Sequence, residues 1–137
     1  MADRARVPLE VLAKLRLVCS GLPEVVEEQA WAGTRWCVRK KNFAHALTIE
    51  DGWPPAYAVA TQTDGPVCVL TFRLSSKQLK APRYSRAPFF RPVWFHNIAG
   101  VQIDAHTDWE EIETLLVESY CVLAPKNLVE KVDRVER

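Results

Sequence analysis

Nine basic residues stand out by type and spacing. Arg35, Arg39, Lys40 and Lys41 form one island, and Lys77, Lys80, Arg83, Arg86 and Arg91 form another. Aromatic side chains are interleaved with both: Trp36 and Phe43 beside the first, and Tyr84, Phe89, Phe90, Trp94 and Phe95 within or next to the second. Guanidinium and ammonium groups bind phosphate while aromatic rings stack on bases, so this combination suits contact with a nucleic-acid backbone. The same cations have a structural reading, in which they solvate turns and guard strand edges against aggregation.

Other chemistry is poorly provided for. The histidines are His45, His96 and His106, and none lies three or four residues from another His or from a Cys. The glycines, at 21, 33, 52, 65 and 100, are too scattered for a phosphate-cradling loop. No nucleophile elbow, dinucleotide fingerprint or paired-histidine metal helix occurs. Cys19, Cys37, Cys68 and Cys121 include no C-x-x-C pair and read as reduced core thiols. No catalytic residue, metal site or cofactor is therefore expected. His45 falls on an apolar strand face and reads as a satisfied core group. His96, beside the second basic island, is the better candidate for a functional imidazole.

The elements that must position these groups follow from periodicity. Val11, Leu15, Val18 and Leu22 recur at helical spacing, which predicts an amphipathic helix from Pro8 to about Cys19, stopped by Gly21-Leu22-Pro23. An acidic connector ending at Glu27-Glu28 follows. Four short β-type runs come next: Arg35 to Arg39, Phe43 to Ile49, Tyr57 to Gln62 and Val67 to Phe72. Their connections are too short for parallel crossovers, so an antiparallel meander is expected. Phe43, His45, Leu47 and Ile49 share one strand face, Ala44, Ala46 and Thr48 the other, and Ala56, Ala58 and Ala60 form a second small-residue face. Pro82, Pro88 and Pro92 leave room for one short helix, Ser75 to Lys80, and an irregular loop. Val93 to Phe95 and Val101 to Ala105 read as two further strands. Thr107 and Glu110 match a capping box ahead of a helix carrying Trp109, Ile112, Leu116, Tyr120 and Leu123 on one stripe, and Pro125 opens a last helix to about Val132. Residues 133–137 read as a frayed tail.

These elements make a single α+β domain over residues 1–137. That agrees with a chain of 137 residues, 48% hydrophobic and 26% charged. No charge-free apolar run is long enough to span a membrane. The start, Met1-Ala2-Asp3-Arg4-Ala5-Arg6, has no apolar segment behind it, so a cytoplasmic location is expected. With 18 Lys and Arg against 17 Asp and Glu the net charge is +1, and the bias is local. Residues 65–103 hold six basic residues and no acidic one, whereas 104–137 carry a net charge of −5.

Several blocks resemble the MmcQ/YjbR family of small bacterial α+β proteins. They are Gly21-Leu22-Pro23-Glu24-Val25, then Trp36-Cys37-Val38-Arg39-Lys40-Lys41-Asn42-Phe43-Ala44, then Asp108-Trp109-Glu110-Glu111-Ile112, and Glu118-Ser119-Tyr120-Cys121-Val122-Leu123-Ala124-Pro125-Lys126-Asn127-Leu128-Val129. The resemblance implies a double-wing-type fold and DNA binding. The first hairpin would be one wing, with Lys77, Lys80, Arg83, Arg86 and Arg91 near the other. The chain departs from the family pattern at Lys40, where relatives often carry Gly, and at Asn97-Ile98, where they carry Gly-Trp. The expected function is thus a non-enzymatic protein that binds DNA weakly through phosphates, using all nine basic residues. The alternative is a small-molecule or protein-partner module. In it Tyr84, Trp94 and His96, with Phe95, line a pocket, and Arg83 or Arg91 meets an anion. The oligomeric state is not legible in the sequence.

Overall fold

A computed structural model describes residues 5–94 and 96–132. The chain runs α1 (Leu9–Cys19), β1 (Val25–Gln29), β2 (Thr34–Val38), β3 (Lys41–Ile49), α2 (Pro55–Thr61), β4 (Val67–Arg73), α3 (Ser76–Leu79), a 3₁₀ turn (Pro82–Ser85), β5 (Phe89–Phe90), β6 (Ile98–Ile103), α4 (Trp109–Leu123) and α5 (Lys126–Val129). The strands form one antiparallel sheet in the order β1-β2-β3-β4-β6-β5. The α+β class expected from periodicity is the one observed. Among the described residues no helix is long and apolar enough to cross a membrane.

Alternation along the strands divides the core in two. On one face α1 and α4 cover Trp36, Val38, Ala44, Ala46, Leu70, Phe72, Val101 and Ile103, with Leu15, Ile112, Leu116 and Tyr120 from the helices. Ala44 and Ala46 are small and fully covered there. On the other face the short α2 closes a smaller cluster of Ala32, Leu47, Ile49, Val69 and Phe90 with Tyr57 and Ala58. Because α2 is only seven residues long, it reaches the end of this face near His45, Thr71 and Arg73 only through its first turn, Ala56 and Tyr57. That end holds the candidate site.

Six expectations are corrected. The run Tyr57 to Gln62, expected as a strand, lies in helix α2 and its C-cap. Pro54 and Pro55 pre-set the first turn, the alanines favour helix, and Gln62 closes it in the left-handed region at φ 60°. The acidic connector is strand β1, whose glutamates face basic partners on its neighbours. Val93 and Trp94 lie outside any strand, and Phe95 lies outside the described residues. The late strand begins at Ile98 rather than Val101, and the phenylalanines at 89 and 90 supply the short edge strand instead. The cap of α4 is Asp108, whose carboxylate accepts from the N–H groups of Glu110 and Glu111, while the Thr107 hydroxyl accepts from Asp104 N–H. The last helix ends at Val129, short of Val132, and the expected tail, residues 133–137, lies outside the described residues.

The β2–β3 hairpin turns on Arg39 and Lys40, with φ of 50° and 70°. Two consecutive left-handed residues match a type I′ turn, whose twist suits a hairpin and which favours Asn-Gly. A side chain in this region costs about 1–2 kcal/mol, so Lys40 holds a conformation that glycine adopts more readily. Lys40→Gly should raise unfolding free energy by about 0.5–1 kcal/mol after glycine's extra chain entropy is subtracted. Urea denaturation measures it.

Candidate ligand-binding site

At the open end of the second face a cavity of about 400 Å³ is lined by Trp31, Asn42, His45, Ala56, Tyr57, Thr71, Arg73, Trp94 and Ile98. Its floor is sheet: His45 lies opposite Thr71 in the β3–β4 ladder, and Arg73 opposite Ile98 in the β4–β6 ladder. Tyr57 comes from α2, and Trp31 and Trp94 from connecting segments. The ring centroids of Tyr57 and Trp94 are 4.8 Å apart with planes tilted by 56°. Trp31 packs edge-on against Trp53 at 5.5 Å. Trp31 is 63% and Trp94 39% exposed, so both rings form the rim, whereas His45 and Tyr57 are buried.

The polar groups of this cavity are held in fixed positions. His45 Nε2–H donates to Ala32 O at 2.6 Å, which leaves Nδ1 to accept from the Tyr57 hydroxyl at 3.3 Å. Burial holds the imidazole below its ordinary value, opposed by the Ala32 hydrogen bond. Burial also pushes the Tyr57 phenol up to about 12. At neutral pH both groups are uncharged, and both nitrogens of His45 are engaged. Among the described residues Arg73 is the one charged residue of the lining. Its Nε donates to Asn42 O at 3.1 Å and a terminal nitrogen to Asn97 Oδ1 at 2.7 Å. Its backbone N–H donates at 2.7 Å to the buried hydroxyl of Ser119, which in turn donates to Phe43 O at 2.5 Å. Helix α4 thereby fixes the ends of β3 and β4 that carry the guanidinium.

A folded-state imidazole held below its unfolded value makes stability depend on pH. The neutral form contributes fully above the unfolded value of about 6.5, and the contribution is lost as pH falls through it. Melting temperature should therefore drop between pH 7 and pH 5, and His45→Gln should flatten that part of the profile.

The residues singled out in the sequence separate into groups. Among the described residues three of the nine cations are ion-paired: Arg35 with Glu28 at 2.7 Å, Arg39 with Glu24 at 2.6 Å, and Arg83 with Glu111. Arg91 is half-buried and reaches Leu79 O at 3.3 Å. Lys40, Lys41, Lys77, Lys80 and Arg86 are exposed and make no ion pair among the described residues. Tyr84 is in the core against Phe89, under α4's face of the sheet, and reaches no cavity mouth with Trp94. His96 is exposed in an open depression with Arg91, Pro92, Val93 and Trp94. Of the three pocket residues, Trp94 alone lines the aromatic cavity.

Trp31, His45, Tyr57 and Arg73 were not expected to meet. The signal for two of them is the alternation Val69, Thr71, Arg73 in β4, which continues the face of His45 and Leu47. A larger cavity of about 780 Å³ lies at the other side of the sheet among Glu10, Lys14, Asp104 and Trp109. Its charged groups are exposed and of both signs, with Lys14 over the Trp109 ring at 5.0 Å, so nothing in it selects one ligand charge.

The YjbR family model matches residues 20–122. The chain belongs to the YjbR family. No curated protein matches it. The YjbR match takes in the Gly21-Leu22-Pro23 block, the first hairpin and Ser119-Tyr120, while Ala124-Pro125-Lys126 falls beyond it. Every residue lining the aromatic cavity lies within the YjbR match. The cavity is thus built from the family's own core segment rather than from the termini.

Proposed function

We propose that this protein is a non-catalytic binding module for a small, planar organic anion, held in the cavity between β3, β4, α2 and Trp94. One observation carries the reading: a half-buried guanidinium, fixed by Asn42 and Asn97, shares a cavity with three aromatic side chains and, among the described residues, no carboxylate. Small-molecule sites are concave and largely apolar, with a few polar groups fixing orientation. Aromatic walls favour a flat ring, and a preorganised guanidinium favours a carboxylate or phosphate. Binding rather than turnover is supported by His45, whose two nitrogens are satisfied.

The probe is 2-naphthoate, compared with its neutral amide by calorimetry and thermal shift. The carboxylate should bind and raise the melting temperature with concentration, as any ligand of the native state does, and the amide should bind at least about tenfold more weakly. Equal binding of the two, or none, contradicts the reading.

A second reading, weak DNA binding, is favoured by Lys40, Lys41, Lys77, Lys80 and Arg86, five cations that make no ion pair among the described residues. Arg35, Arg39 and Arg83 would first have to exchange a carboxylate for a phosphate, which weakens their case. Fluorescence anisotropy of a labelled duplex tests it. Five phosphate contacts give a slope of log affinity against log salt near roughly −4.5, and no binding near 50 mM salt sets the reading aside.

A further inference from the structure

We infer that the planar ligand is a dianion, with one anionic group at Arg73 and a second at Arg91, in the depression that shares Trp94 with the cavity; this rests on the small-anion reading above. Trp94 lines the aromatic cavity and also the open depression that holds Arg91, Val93 and His96. One indole is thus a wall common to two neighbouring concavities, each with one arginine. Among the described residues no carboxylate lines either of them. A flat ligand lying along the indole extends from one guanidinium toward the other, and both of its ends meet positive charge.

The state of Arg91 points to an acceptor that its surroundings do not supply. The residue is half-buried, and its Nε is buried with no hydrogen-bond partner. A guanidinium carries five N–H donors, yet among the described residues Arg91 reaches a single acceptor, Leu79 O, at 3.3 Å from a terminal nitrogen. Arg16, Arg35, Arg39 and Arg83 each meet a glutamate, whereas Arg91 makes no ion pair among the described residues. Partial burial strips water from a charge, and a desolvated charge without a counter-charge is costly. An anion seated against the terminal nitrogens offsets that cost. The depression is open to it, since Val93 is 95% exposed and His96 is exposed as well. A ligand with one carboxylate engages Arg73 and leaves this second guanidinium unused.

Calorimetry with 2,6-naphthalenedicarboxylate, its monomethyl ester and 2-naphthoate tests the assignment on the wild type and on Arg91→Gln and Arg91→Lys. The ester keeps the size of the diacid and removes one charge. The diacid should bind the wild type at least about tenfold more tightly than the ester, against roughly twofold from the equivalence of its two ends alone. In Arg91→Gln that advantage should shrink to roughly twofold, and Arg91→Lys should retain part of it. Affinity for 2-naphthoate should be unchanged in both variants, which also shows that each is folded. The wild-type comparison decides whether or not a variant folds. A diacid no tighter than its ester, or an advantage that survives in Arg91→Gln, overturns this inference while the cavity reading stands. Failure of the diacid, the ester and 2-naphthoate alike overturns both.

Discussion

Arg73→Met should lower affinity for 2-naphthoate by roughly 10- to 150-fold while changing affinity for the neutral amide little. The range follows from about 1.5–3 kcal/mol for hydrogen bonds to a charged group, converted at about 1.4 kcal/mol per decade. Arg73 presents a planar fork whose orientation is set by Asn42 O and Asn97 Oδ1. Methionine keeps much of the stem's packing and removes the charge. Arg73→Lys should recover only part of the affinity, because an ammonium cannot reproduce a bidentate contact. Calorimetry on the three proteins, with melting temperatures to show that each is folded, measures the effect. An unchanged carboxylate affinity in Arg73→Met would place the anion elsewhere.

The largest effect on stability is expected at Ser119. This residue is fully buried, and its hydroxyl bridges α4 to two strands by accepting from Arg73 N–H and donating to Phe43 O. Alanine there leaves a backbone donor on β4 and an acceptor on β3 without their partner, at about 1–3 kcal/mol for each unsatisfied group. Ser119→Ala should therefore cost about 2–4 kcal/mol in urea denaturation. It should also weaken 2-naphthoate binding, because the strand end carrying Arg73 is no longer tied to the helix. Its neighbour provides a comparison. The Tyr120 hydroxyl makes one hydrogen bond, to Pro23 O at 2.7 Å, so Tyr120→Phe should cost only about 1 kcal/mol. A loss at Ser119 no greater than at Tyr120 would show that the bridge is not what holds the two layers together at this end.

Those two residues illustrate what was legible. The block Glu118-Ser119-Tyr120 marked the resemblance to the family, and α1, β3, β4 and α4 followed from strong periodicity. The helical stripe of Ile112, Leu116 and Tyr120 packs where its spacing requires. The features not legible in the sequence depend on partners distant in the chain. The segment Val25–Gln29 looked like a polar connector because an edge strand with four of its five residues exposed carries no hydrophobic alternation. Its identity lies in pairing with β2 and in Glu24, Glu27 and Glu28 meeting Arg39, Arg16 and Arg35.

Missing that strand also exaggerated the first basic island, since two of its four cations are balanced by carboxylates 7 and 15 residues away. Tyr57 reads as a strand residue because Tyr57, Val59 and Thr61 alternate with Ala56, Ala58 and Ala60, while the Pro54-Pro55 start decides for helix. Tyr84 was misplaced for a related reason. Residues close to Trp94 in sequence need not be close in space, and the 3₁₀ turn at Pro82–Ser85 sends Tyr84 into the core against Phe89.

The central claim, that a planar anion occupies the cavity under Trp94, is tested most directly by the indole N–H signals of the five tryptophans in ¹H–¹⁵N NMR spectra during titration with 2-naphthoate. Trp31 and Trp94 stand at the cavity rim, Trp109 lines the other large cavity, and Trp36 is buried with its N–H donated to Glu27 at 3.0 Å. Saturable shifts at Trp31 and Trp94, with Trp36 and Trp109 unmoved, are the predicted result. Shifts confined to Trp109, or a spectrum in which no indole signal moves, would contradict it.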